Sequence, residues 1–173
     1  WQHFMEKEIH EQPRVVKETI AQYYKNGCLF PESRINFALK GRIHIVACGS
    51  AYHAGLLGKY AIEKLARIPV EVEIASEFRY ADPILSKDDL VVIISQSGET
   101  ADSLAALRLV KQQGIPTLGI VNVWGSSLAR EAENVIYTAA GPEISVATTK
   151  AYTCQVVLLY LLALRLGQSR LSA

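Results

Sequence analysis

From Gly41 onward the chain alternates short apolar runs with longer stretches of helical spacing. That alternation narrows its possible folds more than any other feature. The apolar runs cover residues 43–47, 70–74, 90–94, 117–121 and 135–138. Helical stretches fill residues 50–66, 100–113 and 149–166, with shorter ones near 75–80 and 126–131. Strands separated by helices of this length build βαβ units on a parallel sheet. Continuous apolar runs suit strands covered on both faces. The sequence therefore predicts an α/β fold: a three-layer α/β/α sandwich with a flavodoxin-like sheet of about five parallel strands. Leu104, Leu107 and Val110 share one side of the 100–113 helix, which Gly114 and Pro116 end. The last helix is apolar nearly all round and should be buried on more than one side.

Ahead of Gly41 the text is more polar. Pro13 divides residues 4–26 into a short helix and a second one from about 14 to 25, stopped by Asn26-Gly27. Another short helix is expected over residues 31–40. Residues 1–40 thus read as an N-terminal helical segment and 41–173 as one compact domain, a size that supports its own core. Half the residues are apolar and 20% are charged, which excludes disorder as the main state. A net charge of +1 gives no general attraction to nucleic acid or to an anionic membrane. The longest apolar run, residues 156–164, is shorter than the roughly 20 residues of a membrane span. Cys28, Cys48 and Cys154 are far apart and have no zinc-ligand spacing. Their odd number points to a reducing compartment, the cytoplasm. A first residue of Trp1 rather than Met is what a piece of a longer chain would show.

In open α/β folds ligands bind at the carboxyl ends of the strands, so the strand-to-helix loops matter most. Three carry chemistry. In Ala47-Cys48-Gly49-Ser50-Ala51, Gly49 permits a tight turn and Ser50 is placed to cap the next helix. In Ser95-Gln96-Ser97-Gly98-Glu99-Thr100, four polar side chains crowd around a glycine where a helix begins. A helix N-terminus with hydroxyl donors is a ready anion site, and phosphate is its usual occupant. A plain helix cap would need one hydroxyl, not several. The third loop runs from Gly141 to Lys150. Thr148 or Thr149 could cap the last helix, and Glu143 with Lys150 reads either as an acid/base pair or as a structural ion pair.

The motifs of other activities are missing. No GxGxxG or GxxxxGK follows a strand, and there is no GxSxG elbow. His44 lies mid-strand, in a structural position. His53 falls one turn into a helix, where either the pocket or the surface could take it. Trp124 sits in a loop, where exposure is expected.

The three loops, in this order, resemble the sugar isomerase (SIS) family. Within it they resemble most the isomerase part of the glutamine–fructose-6-phosphate aminotransferases. The residues that carry the likeness are Ala47 through Gly55, then Glu73-Ile74-Ala75-Ser76-Glu77-Phe78-Arg79-Tyr80 and Ser95 through Ala101 (SQSGETA). Asn122 through Arg130 (N-x-x-GSS-x-x-R), Gly141 through Tyr152 (GPEI-x-VA-x-TKAY) and the early segment Phe4 through Pro13 complete it. The SQSGET loop is common to many SIS proteins. The Glu-Phe-Arg-Tyr and Glu-Gln-Pro segments point to the aminotransferases.

The resemblance implies that Ser95, Ser97 and Thr100 hold the phosphate of a hexose 6-phosphate, with Gln96 beside them. Ser50 and the backbone at Ala51 would contact the sugar, and Val146 would wall it in. Two positions depart from the family pattern: Ser50 stands where Thr is common, and Ala51 where Ser is common, so Ala51 brings no hydroxyl. Thr148 stands where Ser is usual. The resemblance also implies an absent glutaminase domain, which residues 1–40 would join to this one. It implies an absent second SIS half that carries the catalytic residues, so this chain would bind without turnover. No metal and no cofactor are implied. The expected partners are fructose 6-phosphate, glucose 6-phosphate or glucosamine 6-phosphate, the missing domains, and a second copy in a homodimer. Nucleic acid and membrane are not among them. Two other readings stand beside this one: a sugar-phosphate-binding or regulatory SIS module, and a small SIS sugar-phosphate isomerase.

Overall fold

The structure, a computed structural model, describes residues 1–31 and 39–171. The helix expected over residues 31–40 falls mostly outside them. The sheet is the predicted one. Strands β3 (Ile43–Ala47), β4 (Val70–Ile74), β5 (Leu90–Ser95), β6 (Thr117–Val121) and β7 (Asn134–Tyr137) are all parallel, in the order β4-β3-β5-β6-β7. Their register is continuous, with Ile45 between Val72 and Val92 and Ile120 beside Ile136.

Period-two alternation sends successive side chains to opposite faces. Ile43, Ile45, Ala47, Val92, Ile94, Leu118 and Ile120 face one helical layer, made of α2 (Ser50–Leu65) and α6 (Lys150–Leu171). Val46, Val91, Ile93 and Val121 face the other, made of α3 (Ala75–Phe78), α4 (Ala101–Gln112) and α5 (Ser127–Glu131). Leu104, Leu107 and Val110 are buried in that second core, as the helical spacing predicts, and Gly114 ends the α4 turn at φ +68°. Gly58 lets α2 approach α6 closely: a Cβ there would lie 2.8 Å from Leu159 Cδ1.

The N-terminal segment differs from expectation. A single helix, α1 (Phe4–Tyr23), runs straight through Pro13. A proline inside a helix leaves the carbonyl four residues earlier without its N–H donor. Here Gln12 Nε2 donates to that carbonyl, Ile9 O, at 3.3 Å. The helix also stops earlier than expected. Asn26 and Gly27, at φ +51° and +80°, form the tight turn of a hairpin between β1 (Tyr24–Lys25) and β2 (Cys28–Leu29). Asn-Gly favours this hairpin turn because both central residues need positive φ.

By length and composition α6 could cross a membrane, with a mean hydropathy of 1.2 over Lys150–Gln168. The run read from sequence as too short is therefore part of a longer helix. In this fold that helix packs between α1 and α2, and Leu158, Leu159 and Leu162 are fully buried.

Candidate functional site

A half-open pocket of about 270 Å³ lies at the carboxyl ends of β3 and β5, where the strand order reverses. That is where open α/β sheets place ligands. All three loops singled out above meet there. Ser50, Ala51, Ser95, Gln96, Ser97, Thr100 and Val146 line it, and so do Cys48, Ser103, Glu143, Ser145, Thr148 and Gln155.

The SQSGET loop is held by its own hydroxyls. Ser95 Oγ accepts the Gly98 N–H at 3.0 Å and lies 3.2 Å from Thr100 Oγ1. Ser97 Oγ accepts the Glu99 N–H at 3.2 Å. Gly98 takes φ +69°, and its carbonyl accepts the Leu128 N–H at 3.0 Å. Glu99 turns away from the pocket and accepts the Ser127 N–H at 2.7 Å, a bond that holds its carboxyl below the usual range. Thr100 is the N-cap of α4 but makes no side-chain cap bond. A helix's first N–H groups have no acceptor within the helix, and here no cap hydroxyl takes them. The simple helix-cap explanation therefore does not account for this loop.

The same holds at Ser50. The N-cap of α2 is Gly49, at φ +57°, and no side chain caps that helix. Ser50 is the first helical residue, exposed and on the pocket lining. One further donor was not singled out in the sequence. Ser103 Oγ is buried without a hydrogen-bond partner, one turn into α4 on the pocket lining. Its spacing of three from Thr100 puts it on the same helix face. Gln155, 4% exposed, comes from α6; a glutamine within an apolar helix was its available signal. No lysine or arginine lines the pocket among the described residues. The N-terminus of α4 and neutral hydroxyl and amide groups face it instead.

Neighbouring motifs position these loops. Asn122 N donates to Gln96 O at 3.1 Å, Asn122 Nδ2 donates to Gly141 O at 2.8 Å, and Thr138 Oγ1 donates to Asn122 Oδ1. One asparagine thus ties the second loop to the third. Arg79 pairs with Asp102 at 2.9 Å and joins α3 to the first turn of α4. Phe78 is fully buried beside it.

Glu143 and Lys150 do not pair, so neither reading of them holds. Glu143 caps α6: its carboxylate accepts from Thr149 N at 2.9 Å, Ala151 N at 3.2 Å and Thr148 Oγ1 at 2.7 Å. The cap is therefore Glu143 rather than Thr148 or Thr149, and Thr149 Oγ1 is left buried without a partner. Lys150, nearly fully buried, donates to Glu11 of α1 at 2.6 Å. That bond holds the Glu11 carboxyl below its ordinary value against the opposing effect of burial.

His44 is buried on β3, an interior strand, its Nδ1 3.4 Å from Glu73 Oε1 on the edge strand β4. His44, Glu71 and Glu73 lie close enough to share a metal ion, but Arg42 already pairs with Glu71. His53 is exposed, packs edge-on against Tyr52, and does not line the pocket. Trp124 is exposed and stacks on Tyr137 at 3.8 Å.

The chain is similar to known proteins over most of its length. A family model described as the SIS domain matches residues 36–165. A glutamine–fructose-6-phosphate aminotransferase (isomerizing) of Clostridium tetani is 55% identical across 98% of this chain, which spans 29% of that protein. A namesake from Caldanaerobacter subterraneus is 54% identical across 95% of this chain and 28% of its own length. Among solved structures, the C-terminal domain of glucosamine-fructose-6-phosphate aminotransferase from Francisella tularensis has a TM-score of 0.94 and 45% identity. It matches all of this chain, and the match covers 50% of that domain.

Proposed function

The chain belongs to the SIS domain family, and from that premise we propose that it is the first, hexose-phosphate-binding half of the isomerase part of a glutamine–fructose-6-phosphate aminotransferase. The complete enzyme would convert fructose 6-phosphate and glutamine to glucosamine 6-phosphate and glutamate. One observation carries the reading: at the sheet's switch point, a cluster of neutral donors surrounds a helix N-terminus whose N–H groups no side chain caps. In this reading Ser95, Ser97 and Thr100, with the N-terminus of α4, hold the phosphate. Gln96 stands beside it. Ser50, the backbone at Ala51, and Val146 border the sugar.

Glu143, the one carboxylate lining the pocket among the described residues, is committed to holding α6. We therefore assign proton transfer to the second SIS half and expect this chain alone to bind without turnover. The pocket is also smaller than the roughly 300–1,000 Å³ of most small-molecule sites, as a site completed by another surface would be. Residues 1–40 are the segment we assign to the junction with a glutaminase domain. Leu57 and Tyr60 of α2, and Tyr160 and Leu164 of α6, are exposed, which supports pairing with the second half or a second copy. Three free cysteines support a reducing, cytoplasmic setting.

Titration calorimetry tests the reading. The chain should bind fructose 6-phosphate and glucosamine 6-phosphate saturably and should not bind glucosamine. Equal affinity for the sugar with and without its phosphate would contradict it.

A further inference from the structure

The wall of the pocket formed by Ser145 and Val146 belongs to a stretch without helix or strand, residues 138–149. Ala140 is buried against Val15, Ala151 and Cys154, but at the pocket wall the apolar side chains do not anchor it: Ile144 is 60% exposed and Val146 is fully exposed. Asn122 holds its start through Gly141 O, and Glu143 fixes its end to α6; the middle, at the pocket wall, is held from α1. Glu8, 2% exposed, accepts the Ile144 N–H at 2.6 Å through Oε1, and the Ser145 N–H at 3.3 Å through Oε2. Thr19 Oγ1 accepts the Ala139 N–H at 3.1 Å, Glu11 receives Lys150 Nζ at 2.6 Å, and Thr153 Oγ1 donates to Gln12 Oε1 at 2.6 Å. One helix therefore grips the connection at Ala139, Ile144 and Ser145 and the first turn of α6 at Lys150 and Thr153, and Glu8 makes the grip at the pocket.

We propose that Glu8 is a positioning residue for the sugar pocket: its buried carboxylate sets the wall at Ser145 and Val146, so the placement of α1 governs how the sugar is received. The inference rests on the sugar-phosphate reading above and extends it to a residue outside the pocket. It gives the chain a mechanical link. Whatever moves α1 moves the sugar-facing wall at Ser145 and Val146, whereas none of these α1 hydrogen bonds reaches the phosphate cradle on β5 and α4 directly. Burial pushes the Glu8 carboxyl up in pKa, but the N–H bonds from Ile144 and Ser145, with the nearby Lys150 charge, outweigh it and keep the group below its ordinary value. The clamp is thus a carboxylate at neutral pH. An amide in its place keeps one acceptor oxygen and loses the charge and the second oxygen.

The test compares wild type with Glu8→Gln and Glu8→Ala in two measurements. Amide hydrogen exchange should show protection at Ile144 and Ser145 in wild type, reduced in Glu8→Gln and lost in Glu8→Ala. Titration should show glucosamine 6-phosphate affinity falling about tenfold in Glu8→Ala and less in Glu8→Gln. Affinity for inorganic phosphate should not change. Unchanged protection, or sugar-phosphate and phosphate affinities that fall together, would overturn the inference. Failure of the sugar-phosphate reading would look different: wild type itself would not prefer the phosphorylated sugar, whatever Glu8 does to the amides.

Discussion

Replacing Thr100 by Val and Ser97 by Ala together is expected to weaken sugar-phosphate binding by 100-fold or more. A hydrogen bond to a charged group contributes about 1.5–3 kcal/mol, and each ~1.4 kcal/mol is a factor of ten in affinity. Each single change should therefore cost roughly tenfold or more. Thr100→Val keeps the shape of the side chain and removes the hydroxyl that lies 3.2 Å from Ser95 Oγ. Ser97→Ala also removes the acceptor of the Glu99 N–H, so its melting temperature must be measured beside its affinity. No cation lines the pocket among the described residues to take over the phosphate. A double variant that binds within about twofold of wild type, well under the ~1.4 kcal/mol of a tenfold change, would contradict the assignment.

The second large effect is on stability. Gly98 sits at φ +69°, and a Cβ there would lie 2.6 Å from Ser126 Cβ and closer still to Ser126 Oγ. A left-handed conformation costs an L-residue roughly 1–2 kcal/mol, and forcing an extra carbon into packed space costs about 1–3 kcal/mol. Gly98→Ala should thus lose about 3 kcal/mol. For a chain of this size that lowers the melting temperature by roughly 6–12 °C. Gly114 isolates the backbone contribution: its φ is +68°, and a Cβ there would meet nothing within 4 Å. Gly114→Ala should lose only the roughly 1–2 kcal/mol of the backbone. Differential scanning calorimetry of the two variants decides it. Equal melting temperatures would mean that the Gly98–Ser126 approach does not constrain the loop.

What the sequence disclosed follows from which interactions are local. The five strands and their helices were legible because each carries its own apolar period and its own end signals, such as Gly114 after α4. The SQSGET loop was legible because its polar residues fall within six positions at a strand-to-helix junction. Other features were set by contacts between distant positions. Nothing local predicts that a helix continues through Pro13, since the rescue is one side chain, Gln12, bonding the freed carbonyl. Asn26-Gly27 signalled a stop but did not say whether a helix or a hairpin precedes it.

The fate of Glu143 and Lys150 shows the same division. Both alternatives read from sequence assumed that two charges seven residues apart find each other. The structure gives each a partner that outcompetes the other. Glu143 meets the uncapped N–H groups of α6, where a carboxylate is favoured by the helix field. Lys150 meets Glu11, far away in sequence and brought close only by the packing of α1 on α6. Glu8 was unreadable for the same reason: an acidic residue in a charged helix looks solvated until the loop at Ile144 folds over it. Ser103 was the more accessible omission, because its three-residue spacing from Thr100 is a helical period.

The central claim is that the SQSGET loop and the N-terminus of α4 form the phosphate cradle. A crystal structure of the chain with glucosamine 6-phosphate tests it most directly. The account predicts the phosphate within hydrogen-bond distance of the Ser95, Ser97 and Thr100 hydroxyls and of the first N–H groups of α4, with the sugar ring between Ser50 and Val146. Phosphate density elsewhere on the chain, with this loop unengaged, would contradict it.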